Sequence, residues 1–234
     1  MLKIRIVIFL VVAANYCYSQ SSSLQRYERR KIFSAYEVVV GGGLLKNSGY
    51  QMQYFVPKYG YSVGVGAYHT FTNSFDLNVR LTYDLKGSRA EEYSGPPPSH
   101  PSNPVTSSYV IESNFNYLTL TALPTFAVGL KKNILLGGGF YYSFLRQYKI
   151  QESDVLSNGQ VTTSSSSYKY PKLNGQSDMG ICAFIGYKFK LIKTSTGAVQ
   201  FFFNRSIQDV DDPIAGWQRH KSFMLMFSAS LPNR

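Results

Sequence analysis

The sequence has little cysteine, tryptophan or histidine, and it has no long apolar run after its N-terminus. It holds two cysteines, one tryptophan and three histidines in 234 residues. Cys17 lies among the first twenty residues, so a chain cleaved after that point keeps only Cys182 and forms no internal disulfide. Because a membrane-spanning helix needs roughly 18 or more apolar residues in succession, the missing run excludes helical membrane spans.

The N-terminus has the pattern of a secretory signal peptide. Two basic residues, Lys3 and Arg5, precede an apolar run, and the small residue Ser19 allows cleavage after it. The apolar run is too short to remain as a membrane-spanning helix. We therefore predict a signal peptide at 1–19 and, from its lack of a stable apolar face, a periplasmic lead-in at 20–33.

Positive charge exceeds negative charge in the predicted mature chain. Without the two basic residues of the signal peptide, 22 of the 24 Lys and Arg remain against 13 Asp and Glu, a net charge of +9. An exported chain rarely meets nucleic acid, so we predict no nucleic-acid partner. The expected partners are outer-membrane lipid and lipopolysaccharide, through their phosphates, with a merely solvated surface as the alternative.

Eight segments alternate between apolar and polar or small residues with a period of two, which predicts strands with two chemically different faces. The clearest is SFDLNVRLTYDLKG (74–87), in which Asp76, Arg80 and Asp84 share the polar face. Pro124 removes a donor from the fourth segment, so we expect a bulge or a strand end there. The other segments are 35–45, 61–71, 115–128, 133–151, 177–191, 198–206 and 222–231.

The connections between these segments alternate in length. The second, fourth and sixth segments are followed by short turns, and the first, third, fifth and seventh by long polar segments that we expect to be loops. Aligned antiparallel, the strands carry all the long loops at one end, as in outer-membrane barrels. The short turns are 72–73, 129–132 and 192–196, and the long loops are 46–60, 86–114, 152–176 and 207–221.

The composition of the two strand faces indicates which face meets lipid and which lines the interior. The apolar face carries more than a dozen large side chains, more than the narrow interior of an eight-stranded barrel holds. We therefore favour an all-β, eight-stranded antiparallel up-and-down transmembrane β-barrel at 34–234 over a soluble lipocalin-like barrel, with its apolar face towards lipid. The polar face then fills the lumen with a predicted charge network of Glu37, Asp76, Arg80, Asp84, Lys149, Lys188 and Lys190.

Four stretches also carry a family resemblance: LTYDLKGSR (81–89), ALPTFAVGLKKNILLGGGFYYSFL (122–145), DMGICAFIGYKFKL (178–191) and FFFNRSIQDV (201–210). The chain resembles the Bacteroidetes-type outer-membrane β-barrel family, to which the PorT-like proteins belong. The resemblance implies a barrel in the cell outer membrane. It implies no common activity, because one fold hosts many functions.

Residues capable of catalysis are sparse. His69 is expected on the lipid face, while His100 and His220 fall in predicted loops, where a solvated histidine is the ordinary interpretation. The acidic run DVDD (209–212) is equally unspecific, so we expect no catalytic, cofactor or metal site. The leading hypothesis is a non-enzymatic structural or binding scaffold that displays four extracellular loops, whose partners include proteins bound by the outer loops or the periplasmic N-terminus. The alternatives are an accessory subunit of a secretion or surface-assembly machine, PorT-like in kind, and a small-solute channel.

Overall fold

The structure is a computed structural model that describes residues 33–49, 55–92, 106–156, 158–169, 177–192, 195–207, 210–212 and 216–232. These residues belong to one unit, Phe33–Arg234. The predicted signal peptide and, apart from Phe33, the predicted lead-in lie outside them. None of the described residues form a helix that is long and apolar enough to cross a membrane.

Eleven strands account for most of the described residues. Eight are long, and the remaining three (β2, β7 and β10) are shorter additions to them. In chain order they are β1 (Ala35–Gly49), β2 (Phe55–Val56), β3 (Lys58–Thr72), β4 (Phe75–Glu92), β5 (Thr106–Val128), β6 (Ile134–Leu156), β7 (Val161–Lys169), β8 (Ser177–Ile192), β9 (Ser195–Ser206), β10 (Val210–Asp212) and β11 (Gly216–Pro232).

The eight long strands close into an antiparallel barrel, as the sequence predicts. Each pairs with the next long strand along the chain, and β11 pairs with β1 to complete the circle. When paired residues are followed from strand to strand once around the barrel, a path that begins at Lys46 returns to β1 at Tyr36, ten residues earlier in the chain. In a barrel of eight strands this stagger requires the strands to tilt by roughly 40° from the barrel axis. The path runs through Lys46, Lys221, Arg205, Ile181, Phe140, Ala122, Val79, Ala67 and Tyr36.

The two faces of the strands point as the alternation predicts. Leu81 and Leu120 lie on the outer face, 44% and 49% exposed, whereas Arg80 and Gln200 lie in the lumen and are only 2% and 1% exposed. Large apolar side chains thus cover the outside, and polar and small side chains fill the inside. The glycine runs serve this packing, because Met226 and the Phe184 ring occupy the space that side chains at Gly41 and Gly137 would need.

The short connections are confirmed. β3 and β4 are joined by a two-residue turn, and β8 ends only two residues before β9 begins. In the turn between β5 and β6, Gly129 (φ 86°) and Lys132 (φ 50°) adopt left-handed backbone conformations. The Lys132 N–H donates to the Gly129 carbonyl over 3.0 Å, which closes this turn.

The long connections are mostly not loops, and this prediction is wrong. β1 continues to Gly49, β4 runs past Gly87 to Glu92, β5 begins at Thr106, and β6 extends to Leu156. The reason is that an antiparallel ribbon keeps its backbone hydrogen bonds after its outer face has turned polar. Loss of apolar alternation therefore marks the edge of the membrane, while the strand itself goes on.

The polar tract 157–167, expected to be a loop, contains most of β7. Val161–Lys169 pairs with β6 from Val155 back to Gln147. Gly159, with φ 81°, provides the tight turn, and its N–H donates to the Leu156 carbonyl over 2.9 Å. Threonine and valine favour strands, and the Ser and Thr hydroxyls pair across the ribbon, so low complexity here accompanies regular structure.

Pro124 produces neither a bulge nor a strand end. β5 continues to Val128, and its register against β6 passes without a shift from Ala122–Phe140 to Thr125–Gly137. The two residues between these pairs, Leu123 and Pro124, have no partner in that register. The backbone donor that Pro124 lacks therefore causes only a two-residue interruption in the pairing between β5 and β6.

A bulge in β6 changes which of its side chains face inward. Asn116 pairs with Gln147 but Tyr117 pairs with Leu145, so Arg146 is an extra residue on the β6 side. Beyond it the alternation is reversed. Tyr148, which strict alternation along the segment 133–151 predicts on the lipid face, is 1% exposed, and Lys149, expected in the lumen, lies exposed on the outer surface. The prediction for both residues is wrong because one inserted residue inverts every later position.

Candidate functional site: the charged lumen

The first charged cluster in the lumen joins β1 to β4 across β3. Glu37 and Arg80 both pair with Gly66, which has no side chain to separate them. The Arg80 Nε donates to Glu37 Oε1 over 2.6 Å, and its Nη2 donates to Gln200 Oε1 over 2.8 Å. Both side chains are almost completely buried. The pair therefore neutralises its charges inside the barrel, where an isolated charge would be costly.

Neighbouring polar groups complete the coordination of the Glu37 carboxylate. The Asn78 Nδ2 donates to Oε1 over 2.8 Å, and the Tyr68 hydroxyl donates to Oε2 over 2.5 Å. The Arg80 guanidinium carbon lies 5.3 Å from the centre of the Phe202 ring. Hydrogen bonds from three residues on two strands thus fix this carboxylate, which ties β1 to β3 and β4 through side chains as well as through the sheet.

A second cluster lies on the extracellular side of the first and joins β4 to β8. The Lys86 Nζ donates to Asp178 Oδ2 over 2.7 Å, and the Tyr141 hydroxyl lies 3.3 Å from the same oxygen. The ammonium also lies 4.5 Å from the centre of the Tyr141 ring and 4.9 Å from that of Tyr117. Aromatic faces attract cations, so the lysine is held by one carboxylate and two rings.

Aromatic side chains close the lumen above this cluster. Phe115 stacks on Tyr148 with ring centres 4.6 Å apart, and His220 meets the Phe115 ring edge-on at 5.3 Å. The His220 Nε2 lies 3.4 Å from the Tyr117 hydroxyl. His220 is therefore a buried residue of β11 and not a solvated loop residue; continuation of β11 beyond the apolar belt is the reason that this prediction is wrong.

The structure brings some of the predicted network residues together and leaves others apart. Glu37 and Arg80 form an ion pair, and the buried Asp84 accepts a hydrogen bond from the Ser62 hydroxyl over 2.6 Å. Asp76 and Lys188 line a cavity of about 110 Å³ at the periplasmic mouth. Lys190 is exposed near that end of β8, and Lys149 lies on the outer surface.

Sequence reasoning missed the second cluster. The predicted loop 86–114 includes Lys86, although this residue continues the polar face of β4 two residues after Asp84 and six after Arg80. Asp178 belongs to the predicted segment 177–191, but the sequence pattern gives it no partner. Continuing the alternation beyond the last apolar residue was the signal that could have found Lys86. No local signal could pair it with a residue 92 positions away.

The two clusters leave little free space in the lumen. The cavity between them, lined by Arg80, Lys86 and Tyr141 among others, has a volume of about 50 Å³. That volume holds a few water molecules and no drug-sized solute. Within the described ranges, no three His, Cys, Asp or Glu residues converge as a metal site would require.

A sequence profile named "Outer membrane protein beta-barrel domain" matches residues 18–212, which is most of the chain. The chain belongs to this family. As an outer membrane protein beta-barrel domain, it is located in the cell outer membrane, with the short turns on the periplasmic side and the extended strands outside. No curated protein matches the sequence.

The solved structures that this chain is similar to are distant in sequence. Ail, the attachment invasion locus protein of Yersinia pestis, in complex with the heparin analogue sucrose octasulfate, is 12% identical, with 85% of this chain and 99% of that chain covered and a TM-score of 0.36. Neisserial surface protein A is 15% identical, with 85% and 97% covered and a TM-score of 0.38. The outer membrane protease OmpT of Escherichia coli is 8% identical, with 91% and 99% covered and a TM-score of 0.40.

Proposed function

We propose that the protein is a non-enzymatic outer-membrane scaffold that binds its partner with the part of the barrel that stands above the membrane. The observation that carries this proposal is the combination of a closed lumen and a long extracellular extension. The closed lumen argues against a small-solute channel. The extension supplies a surface that a barrel built only to span the membrane would not need.

The extension is largest on β5 and β6, which have 23 residues each. About 10 residues suffice for a strand to cross the bilayer. On the outer face of β5 the continuous apolar run ends at Leu118, and Asn116, Asn114 and Glu112 follow. The strands therefore rise roughly 30 Å above the apolar belt once their tilt is taken into account.

The ribbon of β6 and β7 is the most exposed described part of this extension. Residues 158–167 are all exposed, and hydroxyl and amide groups pair across the two strands. The Ser153 and Thr163 hydroxyls lie 3.2 Å apart, and the Gln147 Nε2 donates to the Ser167 hydroxyl over 3.0 Å. A surface rich in hydroxyl groups suits hydrogen bonding to a polar partner such as a protein or a glycan.

The absence of catalysis is part of the proposal. Among the described histidines, His220 lies towards the extracellular end of its strand, two residues before Ser222, a serine that could serve as a nucleophile. Both are buried, 5% and 3% exposed, and His220 lies against the Phe115 ring. Substrate would have to displace an aromatic plug to reach them. Within the proposal, outer-membrane lipid and lipopolysaccharide surround the barrel, protein partners meet its extracellular part, and nucleic acid is not bound.

Photocrosslinking on living cells of the source bacterium tests the scaffold. A benzoylphenylalanine at Ser164, exposed on β7, should give discrete crosslinked products, whereas the same group at the lipid-facing Leu120 should give none beyond lipid. Identical product patterns at both positions would contradict a binding role for the ribbon. Crosslinks to components of an export machine, together with lost secretion of other proteins on deletion, would favour the PorT-like accessory subunit instead.

A further inference from the structure

Three basic side chains form a row on the outer surface of the barrel. Lys46 of β1 pairs directly with Lys221 of β11, and Lys221 pairs directly with Arg205 of β9. All three alternate with lumen-facing residues and therefore point outward. Directly opposed residues on neighbouring strands have Cβ atoms about 5 Å apart, so the row concentrates three positive charges within roughly 10 Å.

In the part of the chain that the structure describes, these three cations lack the acidic partner that others on the barrel have. None of them forms an ion pair or a side-chain hydrogen bond with another described residue. Lys58 and Arg89, by contrast, both contact the Glu112 carboxylate, over 2.8 and 3.5 Å. Like charges directly opposite each other destabilise a sheet. The row is thus an unfavourable arrangement that an anion would turn into a favourable one.

The side chains next to the row on its periplasmic side show where the row lies relative to the membrane. Two residues nearer the periplasm on the same strands are Leu44, Phe223 and Phe203, which pair with one another in the same order. Phe203 and Phe223 have ring centres 5.0 Å apart. An apolar layer therefore continues immediately beneath the cations. This is the extracellular edge of the lipid-facing belt, where headgroups of the outer leaflet meet acyl chains.

We propose that Lys46, Lys221 and Arg205 form a binding site for the phosphate of an outer-leaflet glycolipid, whose acyl chains pack on Leu44, Phe223 and Phe203. This proposal specifies which residues bind the lipid partner of the proposed function, and it rests on that part of the proposed function. Phosphate is the anion that this height in an outer membrane offers, and arginine and lysine are its usual ligands. The apolar residues below distinguish a lipid from a soluble anion.

Native mass spectrometry of the folded barrel in mild detergent tests the site. Phosphorylated lipid A is the probe, and the same lipid after removal of its phosphates is the comparison. The variant carries Lys46→Gln, Lys221→Gln and Arg205→Gln together. Each removed cation should weaken binding roughly fivefold, so the variant should lose about a hundredfold, and added salt should weaken only the wild-type complex. A variant that binds as the wild type does would overturn the site.

A charge-matched control carries Lys131→Gln, Lys132→Gln and Lys190→Gln, all exposed at the periplasmic end, and should keep wild-type binding. A gel shift between unheated and heated samples verifies that every variant is folded. Equal binding of phosphorylated and dephosphorylated lipid by the wild type would overturn phosphate as the recognised group, and binding of neither would overturn the lipid partner itself. Competition by millimolar inorganic phosphate would show a general anion site and overturn the assignment to lipid. A photocrosslinker placed at position 46 that captures a protein in place of lipid would also overturn the assignment to lipid.

Discussion

Inside the barrel, Arg80 and Lys86 meet carboxylates at 2.6 and 2.7 Å, whereas on the outside Lys46, Lys221 and Arg205 meet none among the described residues. Both groups of cations are carried by the same kind of strand, alternating with residues of the other face. The difference is the surroundings. Lumen charges are buried in protein and must be neutralised by protein, while outer charges at the membrane edge are neutralised by whatever the membrane supplies.

The comparison shows what each face contributes. The interior pairs bridge the lumen and tie the strands together, and their own charges are neutralised within the protein. The outer row adds nothing to the closure, and its charges repel one another until an anion arrives. The first group thus stabilises the barrel, and the second is available for binding.

The largest expected effect comes from Arg80→Met. Glu37 would remain buried without its cation, which costs about 3–5 kcal/mol of unfolding free energy. Urea unfolding of the barrel in lipid vesicles, followed by gel mobility, measures the loss. Arg205→Met, the matched change on the outer row, should cost less than about 1 kcal/mol. Equal losses for the two arginines would remove the distinction between lumen and outer row.

A charge on the apolar outer belt should be next in size. Val79 lies near the middle of the lipid-facing side of β4, between Leu77 and Leu81. Val79→Lys should reduce the unfolding free energy by about 2–4 kcal/mol, because a cation at the bilayer midplane finds neither water nor a counter-ion. Val79→Ile, measured in the same vesicles, should be nearly silent. If lysine and isoleucine behave alike, this face does not meet lipid.

A smaller effect is expected from filling the gap beneath the Glu37–Arg80 pair. A Cβ at Gly66 would lie 2.6 Å from Glu37 Oε1 and 3.1 Å from Arg80 Cγ. Gly66→Ala should therefore cost about 1–3 kcal/mol through overpacking. Gly42→Ala is the control, since its Cβ would meet nothing closer than 3.4 Å. The same unfolding measurement should rank the two variants, and a reversed order would contradict the geometry of the pair.

The smallest effect has the opposite sign. Lys221→Glu places a carboxylate between Lys46 and Arg205 and replaces two repulsions by two attractions. In detergent without glycolipid, this variant should be more stable than the wild type by about 0.2–1 kcal/mol. Lys131→Glu, in the periplasmic turn, should show no such gain. A destabilised Lys221→Glu barrel would mean that the outer row is already compensated.

The sequence predicts the faces of the strands because side-chain direction alternates locally with a period of two. It therefore places Glu37, Arg80 and Asp84 inside and Leu81 outside. The partners depend on register and stagger, which link Arg80 to a residue 43 positions away and Lys86 to one 92 positions away. The bulge at Arg146 also leaves no clear mark in the sequence, yet it reverses Tyr148 and Lys149. The predicted strand ends are wrong because polar hairpins stay paired outside the membrane.

Conductance across a planar lipid bilayer tests most directly the central claim that paired charges and aromatic rings close the lumen. The folded barrel should insert, as judged by its heat-modifiable gel mobility after recovery, without producing discrete current steps at moderate voltage. Reproducible open steps that persist at constant voltage would contradict a closed lumen and return the small-solute channel to first place.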